Sequence, residues 1–172
     1  MRTMIGLRAA LLRIALCVLV LTIAGCSRSK EPAVKVGSTL PALVLSTATG
    51  AEYRLPEAAR GKLLVILFWS KGCKYCEREM PVLEPLYKKY KDRGFELLGV
   101  HMGDDPEAVA AIVKAGSLSF PMVLDKALKS RDLYGVKAVP TMFVVGREGL
   151  VVEKVLGGLP AAEIEKLLKE KL

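Results

Sequence analysis

The stretch Leu63–Trp69 is an unbroken run of apolar and β-branched residues, which predicts a strand buried on both faces. The run breaks at Lys71-Gly72, and a helical period takes over. It puts Val82, Leu86 and Tyr90 on one stripe with Leu83 and Tyr87 beside it. Pro81 lies inside this helix and removes one backbone hydrogen bond, which predicts a kink. Phe95–His101 predicts a second buried strand. Asp104-Asp105-Pro106-Glu107 then carries the acids and proline of a helix start. Val109, Ile112 and Val113 give that helix its apolar face, and Gly116 ends it. Met122–Leu124 reads as a short strand and Leu128–Tyr134 as a short helix closed by Gly135. Thr141–Val145 and Leu150–Leu156 predict strands joined by the turn Gly146-Arg147-Glu148-Gly149. The last helix starts at Pro160 and turns Ile164, Leu167, Leu168 and Leu172 inward. Upstream, Leu43–Leu45 and Tyr53–Leu55 flank the turn-rich Ser46–Gly50 and predict a β-hairpin.

Alternating strands and helices, followed by a hairpin and a helix, predict an α/β fold. Its mixed central β-sheet is flanked by helices on both faces, with an N-terminal β-hairpin extension. The length from Gly37 onward suits one domain with a sizeable core. Residues 1–25 stand apart. Arg2, Arg8 and Arg13 begin them, and Ile14–Ala24 is an apolar run of signal-peptide length, short for a membrane span. The run ends in Ile23-Ala24-Gly25-Cys26, which resembles the lipobox of bacterial lipoproteins and implies acylation of Cys26 after cleavage. An ordinary secretory signal or an uncleaved anchor is the alternative. Residues 26–36 are polar and read as a flexible tether from Cys26. The chain carries a net charge of +8, and loss of three arginines with residues 1–25 leaves +5. Those lysines are dispersed, which fits a solvated surface near anionic lipid and not a nucleic-acid partner.

The chemistry sits where the first buried strand meets the first helix. Cys73-Lys74-Tyr75-Cys76 places two sulfurs within one helical turn, in bonding range. Cys73 falls at the helix N-terminus, where unpaired N–H groups and the dipole stabilise a thiolate, and Lys71 and Lys74 push the same way. Cys76 lies deeper. This is the layout of a dithiol–disulfide exchange pair, with Cys73 attacking and Cys76 resolving. Zinc binding would require further ligands, and the mature chain adds only His101 and the lipidated Cys26. A purely structural bridge would close too small a loop to stabilise much. With Cys17 removed and Cys26 lipidated, no stray thiol remains, as suits an oxidising compartment.

Three separated motifs resemble the thioredoxin superfamily, and within it the TlpA/ResA-like extracytoplasmic thiol–disulfide oxidoreductases. They are the strand–Cys73-x-x-Cys76–helix unit, Glu79-Met80-Pro81, and Gly135-Val136-x-x-Val139-Pro140-Thr141. The resemblance implies a thioredoxin fold over roughly Gly37 to Leu172. It implies a cis bond at Pro140 facing the cysteines, and a functional glutamate at Glu79. A carboxylate there would raise the thiol pKa values and could shuttle a proton. The exposed backbone of Val139 could pair with an extended segment of a client protein. Trp69 and Tyr75 are expected to contribute to the same substrate-binding surface, Trp69 from the strand end, where it packs under the site. Two positions depart from the pattern: Gly72 replaces a tryptophan common in the family, and Tyr75 replaces a common proline. His101 is expected to serve packing.

The resemblance implies a reductive role toward client proteins such as apocytochrome c, with electrons supplied by a membrane thiol carrier. No cofactor beyond the Cys73–Cys76 disulfide is expected, and no metal. Two rivals are a thiol peroxidase of the AhpC/TSA type and a non-enzymatic copper or redox-sensing module.

Overall fold

A computed structural model describes residues 34–172. The readings of residues 1–25 as a signal peptide and of Cys26 as a lipidation point lie outside the described residues. Seven strands form one sheet: β1 (Leu43–Thr47), β2 (Glu52–Leu55), β3 (Leu63–Trp69), β4 (Phe95–His101), β5 (Met122–Leu124), β6 (Thr141–Val145) and β7 (Val151–Leu156). The helices are α1 (Lys74–Tyr90), α2 (Pro106–Gly116), α3 (Lys129–Leu133) and α4 (Ala161–Lys171). Across the sheet the order is β2-β1-β5-β4-β3-β6-β7, with β3, β4 and β5 parallel and the remaining pairs antiparallel. This is the mixed α/β sheet expected of a thioredoxin fold. Among the described residues no helix is long and apolar enough to cross a membrane.

The two-residue period of β3 divides the core. Leu63, Val65, Leu67 and Trp69 point to the face covered by α1 and α4, where they meet Cys76, Met80, Leu83, Ile164 and Leu168. Leu64, Ile66 and Phe68 point the other way, toward Tyr134, Val136 and Phe143. Leu43, Leu45 and Leu55 of β1 and β2 extend that second face, and the short α3 and the segment carrying Val34 and Leu40 pack on it. Helices therefore lie on both faces as expected, α3 being joined on this one by the segment that leads into β1.

The N-terminal boundary also moves. Val34 is buried, the Gly37 N–H donates to the Val151 carbonyl at 2.8 Å, and Thr39 bridges Leu150. The part of the tether from Val34 onward therefore belongs to the domain, because its apolar residues and backbone groups find partners along β7.

Phe68 stands edge-on to both Tyr134 and Phe143, with ring centroids 6.0 and 5.8 Å away. Truncating this fully buried ring leaves a cavity that rigid strands cannot close. Phe68→Ala is expected to lower unfolding free energy by about 3–5 kcal/mol, measured by urea denaturation. A loss below about 1 kcal/mol would show that the second face repacks freely.

Helix α1 continues through both Pro81 and Pro85. Its buried residues are Cys76, Met80, Leu83, Glu84, Leu86 and Tyr90, whereas Val82 is exposed. The apolar stripe is thus rotated from the predicted one, with its centre running from Cys76 through Met80 and Leu83. Glu84 is buried at the edge of this face, where it accepts from the Ser119 N–H at 2.8 Å and the Ser119 hydroxyl at 2.6 Å. Lys88 lies 3.1 Å away. Burial alone would raise the Glu84 pKa; the Ser119 and Lys88 contacts outweigh it and hold the carboxyl below its ordinary 4.5.

A depressed carboxyl stabilises the fold above its unfolded pKa and loses that contribution as pH falls through the folded value. Glu84→Gln is therefore expected to lower the melting temperature at pH 7. The gap from the parent should close as pH falls below about 4.5. A gap independent of pH would mean that shape, not charge, ties α1 to Ser119.

Candidate active site

Strand β3 delivers the chain to the active site at Trp69, and its partner β4 ends beside it at His101. The turn that follows requires Gly72, whose φ of +78° lies in the left-handed region. A tryptophan, common in the family at this position, would be strained in that conformation. Cys73 is the N-cap of α1 and is half-buried, while Cys76 is wholly buried in the first turn. A disulfide joins them, with Cα atoms 5.3 Å apart. The Cys76 N–H points at Cys73 Sγ at 3.3 Å, so the helix directs a free donor at the outer sulfur. Partners in solution can reach only Cys73.

Lys71 does not act on the sulfurs alone, because its ammonium lies 3.1 Å from Asp105, the N-cap of α2. Asp105 also accepts from the Ala108 N–H at 2.8 Å. The Ala108 bond and Lys71 hold this half-buried carboxyl below its ordinary range. Part of the positive field expected from Lys71 is thus spent on a helix cap. Lys74 remains exposed beside Cys73.

Across from the sulfurs, the Val139–Pro140 bond is cis, as the resemblance implied. A second cis bond, Leu55–Pro56, was not anticipated. The Val139 backbone has no hydrogen-bond partner among the described residues, leaving its polar groups open to an incoming strand. Between this loop and α1 runs an open groove of about 350 Å³, lined by Tyr75, Glu79, Val139, Pro140, Leu156 and Gly158. Tyr75 is 70 % exposed, and the Arg78 guanidinium lies 4.7 Å from its ring centroid.

Trp69 does not line this groove. It is 1 % exposed and packs under the disulfide with Cys76 and Met80, edge-on to His101 at 4.7 Å. Its predicted substrate contact is corrected to a supporting role, because a ring at the end of a doubly covered strand has no solvent face. His101 is likewise buried, as expected for a packing residue.

Glu79 is the acid of the groove. One carboxylate oxygen is buried without a hydrogen-bond partner, and burial pushes the group above its ordinary 4.5. The turn after β7 closes over it. The Gly157 N–H donates to the Pro140 carbonyl at 2.8 Å, which ties this turn to the cis loop. A methyl group on Gly158 would run into the Glu79 carboxylate, so only glycine leaves it in place. Sequence reasoning passed over Gly157-Gly158. A glycine pair directly after a strand signals close backbone approach, but nothing local says what approaches.

An outer sulfur at a helix N-terminus, a buried partner sulfur, a desolvated carboxyl and an open backbone edge together suit thiol–disulfide exchange. The AhpC/TSA family profile matches residues 36–154. The thiol-disulfide oxidoreductase ResA of Geobacillus kaustophilus is 36% identical over 163 residues, covering 95% of this chain and 93% of its own. The chain belongs to the AhpC/TSA family of the thioredoxin superfamily. ResA of Bacillus subtilis is 31% identical over 158 residues, covering 92% of this chain and 88% of its own. Among solved structures, the thioredoxin domain of a thiol-disulfide oxidoreductase from Bacteroides vulgatus superposes with a TM-score of 0.69 at 28% identity. That match covers 79% of this chain and 99% of that one. A thiol:disulfide interchange protein from a Bacteroides species gives a TM-score of 0.68 at 26% identity, covering 79% and 91%. These relatives agree with the site in assigning protein thiol–disulfide oxidoreductase activity to this AhpC/TSA family member.

Proposed function

We propose that this oxidoreductase is a lipid-anchored reductant of client proteins on the outer side of a bacterial membrane. The observation that carries the exchange itself is the asymmetry of the pair, with Cys73 reachable and Cys76 buried behind it. In the reduced protein, the Cys73 thiolate attacks a client disulfide. A Cys73–client bond forms, and one client sulfur leaves as thiolate. Cys76 then attacks Cys73, forming the intramolecular disulfide seen here and releasing the second client thiol. Two electrons pass to the client. A membrane dithiol carrier restores the pair, and apocytochrome c is the client that the resemblance favours. Glu79 manages the protons of Cys73 and Cys76, and Val139 and Pro140 hold the client strand against Tyr75. Cys26 supplies the anchor.

Equilibration of the protein against glutathione or dithiothreitol tests the direction. A potential near about −270 mV supports a reductant, and one near about −120 mV makes the protein a disulfide donor instead. The match to the AhpC/TSA family favours one second reading, a thiol peroxidase. Consumption of hydrogen peroxide at a rate above that of exchange would select it.

A further inference from the structure

On the far side of the cis loop lies a second hollow, of about 550 Å³, that the exchange chemistry does not use. Its walls include Val34, Val36 and Leu156, and its charged residues are Lys35, Lys137 and Lys154. Lys154 is unusual. Its ammonium donates to the Tyr134 carbonyl at 3.1 Å and the Val34 carbonyl at 3.3 Å, and it stands 4.9 Å from the centre of the Phe143 ring. Burial and the neighbouring Lys137 both lower its pKa. None of the three lysines has a carboxylate within ion-pair distance among the described residues.

Three cations with no acid paired to them among the described residues, one of them half-buried and held by carbonyls, make a site suited to a carboxylate. The hollow borders the redox groove. Leu156, 76 % exposed, lines both. Lys137 stands two residues before Val139, at the root of the loop where a client strand would lie.

We propose that this hollow receives an acidic side chain from the client segment docked on Val139–Pro140. Clients carrying aspartate or glutamate a few residues from the exchanged cysteine are thereby preferred. The inference rests on the exchange reading and adds its specificity. The apolar walls take the methylene stem of the acid, and the lysines take its carboxylate. A membrane surface of anionic lipid is the competing occupant. A hollow that shares Leu156 with the redox groove favours a peptide.

The test uses two disulfide-bonded fluorogenic peptides that differ only in flanking the cystine with glutamates or with lysines. Stopped-flow rates with the reduced protein should favour the acidic peptide by roughly tenfold at low salt, and the ratio should shrink toward one at high salt. In the double variant Lys35→Glu/Lys137→Glu the ratio should invert. Because each ratio is taken on one protein, a change in overall rate does not disturb it. An acidic-to-basic ratio of one overturns the inference. So does a preference that survives in the double variant, which would assign it to Lys74 and Arg78 beside the disulfide. Loss of binding to phosphatidylglycerol vesicles in the double variant, with the peptide ratio unchanged, would give the hollow to the membrane. Glutathione separates the two levels of the argument. A wild-type protein that fails to exchange with it sinks the exchange reading, whereas equal rates with both peptides sink only the acidic preference.

Discussion

Replacing Cys73 with serine is expected to drop disulfide exchange by more than about 1000-fold, to the uncatalysed background. Replacing Cys76 should have a different outcome. Cys76→Ser keeps the outer nucleophile and removes the group that releases the client, so a mixed disulfide accumulates. It should appear as a higher-mass band on a non-reducing gel and vanish with dithiothreitol. The difference follows from burial: Cys73 is half-buried at the helix cap and Cys76 is 0 % exposed. If Cys73→Ser also trapped clients, the order of attack would be reversed. The wall of chain over Cys76 would then have to open during exchange.

The second large effect concerns the acid of the groove. Glu79→Gln is expected to slow exchange by about 100-fold and to flatten the pH dependence of the rate, as removal of a proton-transfer group does. Stability should move the opposite way. A carboxyl raised by burial costs folding free energy once pH exceeds its unfolded value near 4.5, and the cost is complete above the folded value. The amide removes that cost. Glu79→Gln should therefore melt higher than the parent at pH 7 and no higher at pH 4. A residue that weakens the fold while speeding its chemistry is the signature of a working site.

Gly158→Ala offers an independent check. Its methyl group would displace the Glu79 carboxylate by swinging the flexible end of that side chain, with no need to shift backbone. The variant should fold and share the flattened pH profile. A normal profile would show that Glu79 acts equally well from another position.

Much of this was legible in the residues. The runs Leu63–Trp69 and Phe95–His101 could only be central strands, because seven buried positions in a row leave no polar face. The Cys-x-x-Cys pair announced its helix cap, and the Val139-Pro140 pair its open edge. What escaped depended on contacts distant in sequence. Trp69 could be placed under the site from its position at the strand end. Its complete enclosure by His101 and Met80, which denies it a substrate contact, could not be read locally. Val82 fits a helical stripe equally well whether the face is centred on it or on Leu83. The joining of β1 to β5 rests on two residue pairs, Ser46 with Leu124 and Thr47 with Val123, and no local pattern encodes such a brief match. The polar content of residues 26–36 concealed Val34, whose neighbours on β7 lie more than a hundred positions away.

The burial of Val34 also sets a leash. On the proposed attachment through Cys26, residues 27–33 would be all the chain between the anchor and Val34. Fully extended, that chain spans no more than about 28 Å, close to the diameter of a small domain. The disulfide would then sweep a shallow shell above the lipid and meet substrates emerging from, or tethered to, the same surface. Confinement of this kind raises the local concentration of such substrates far above that of freely diffusing proteins. Lengthening the spacer would widen the sweep and dilute that advantage.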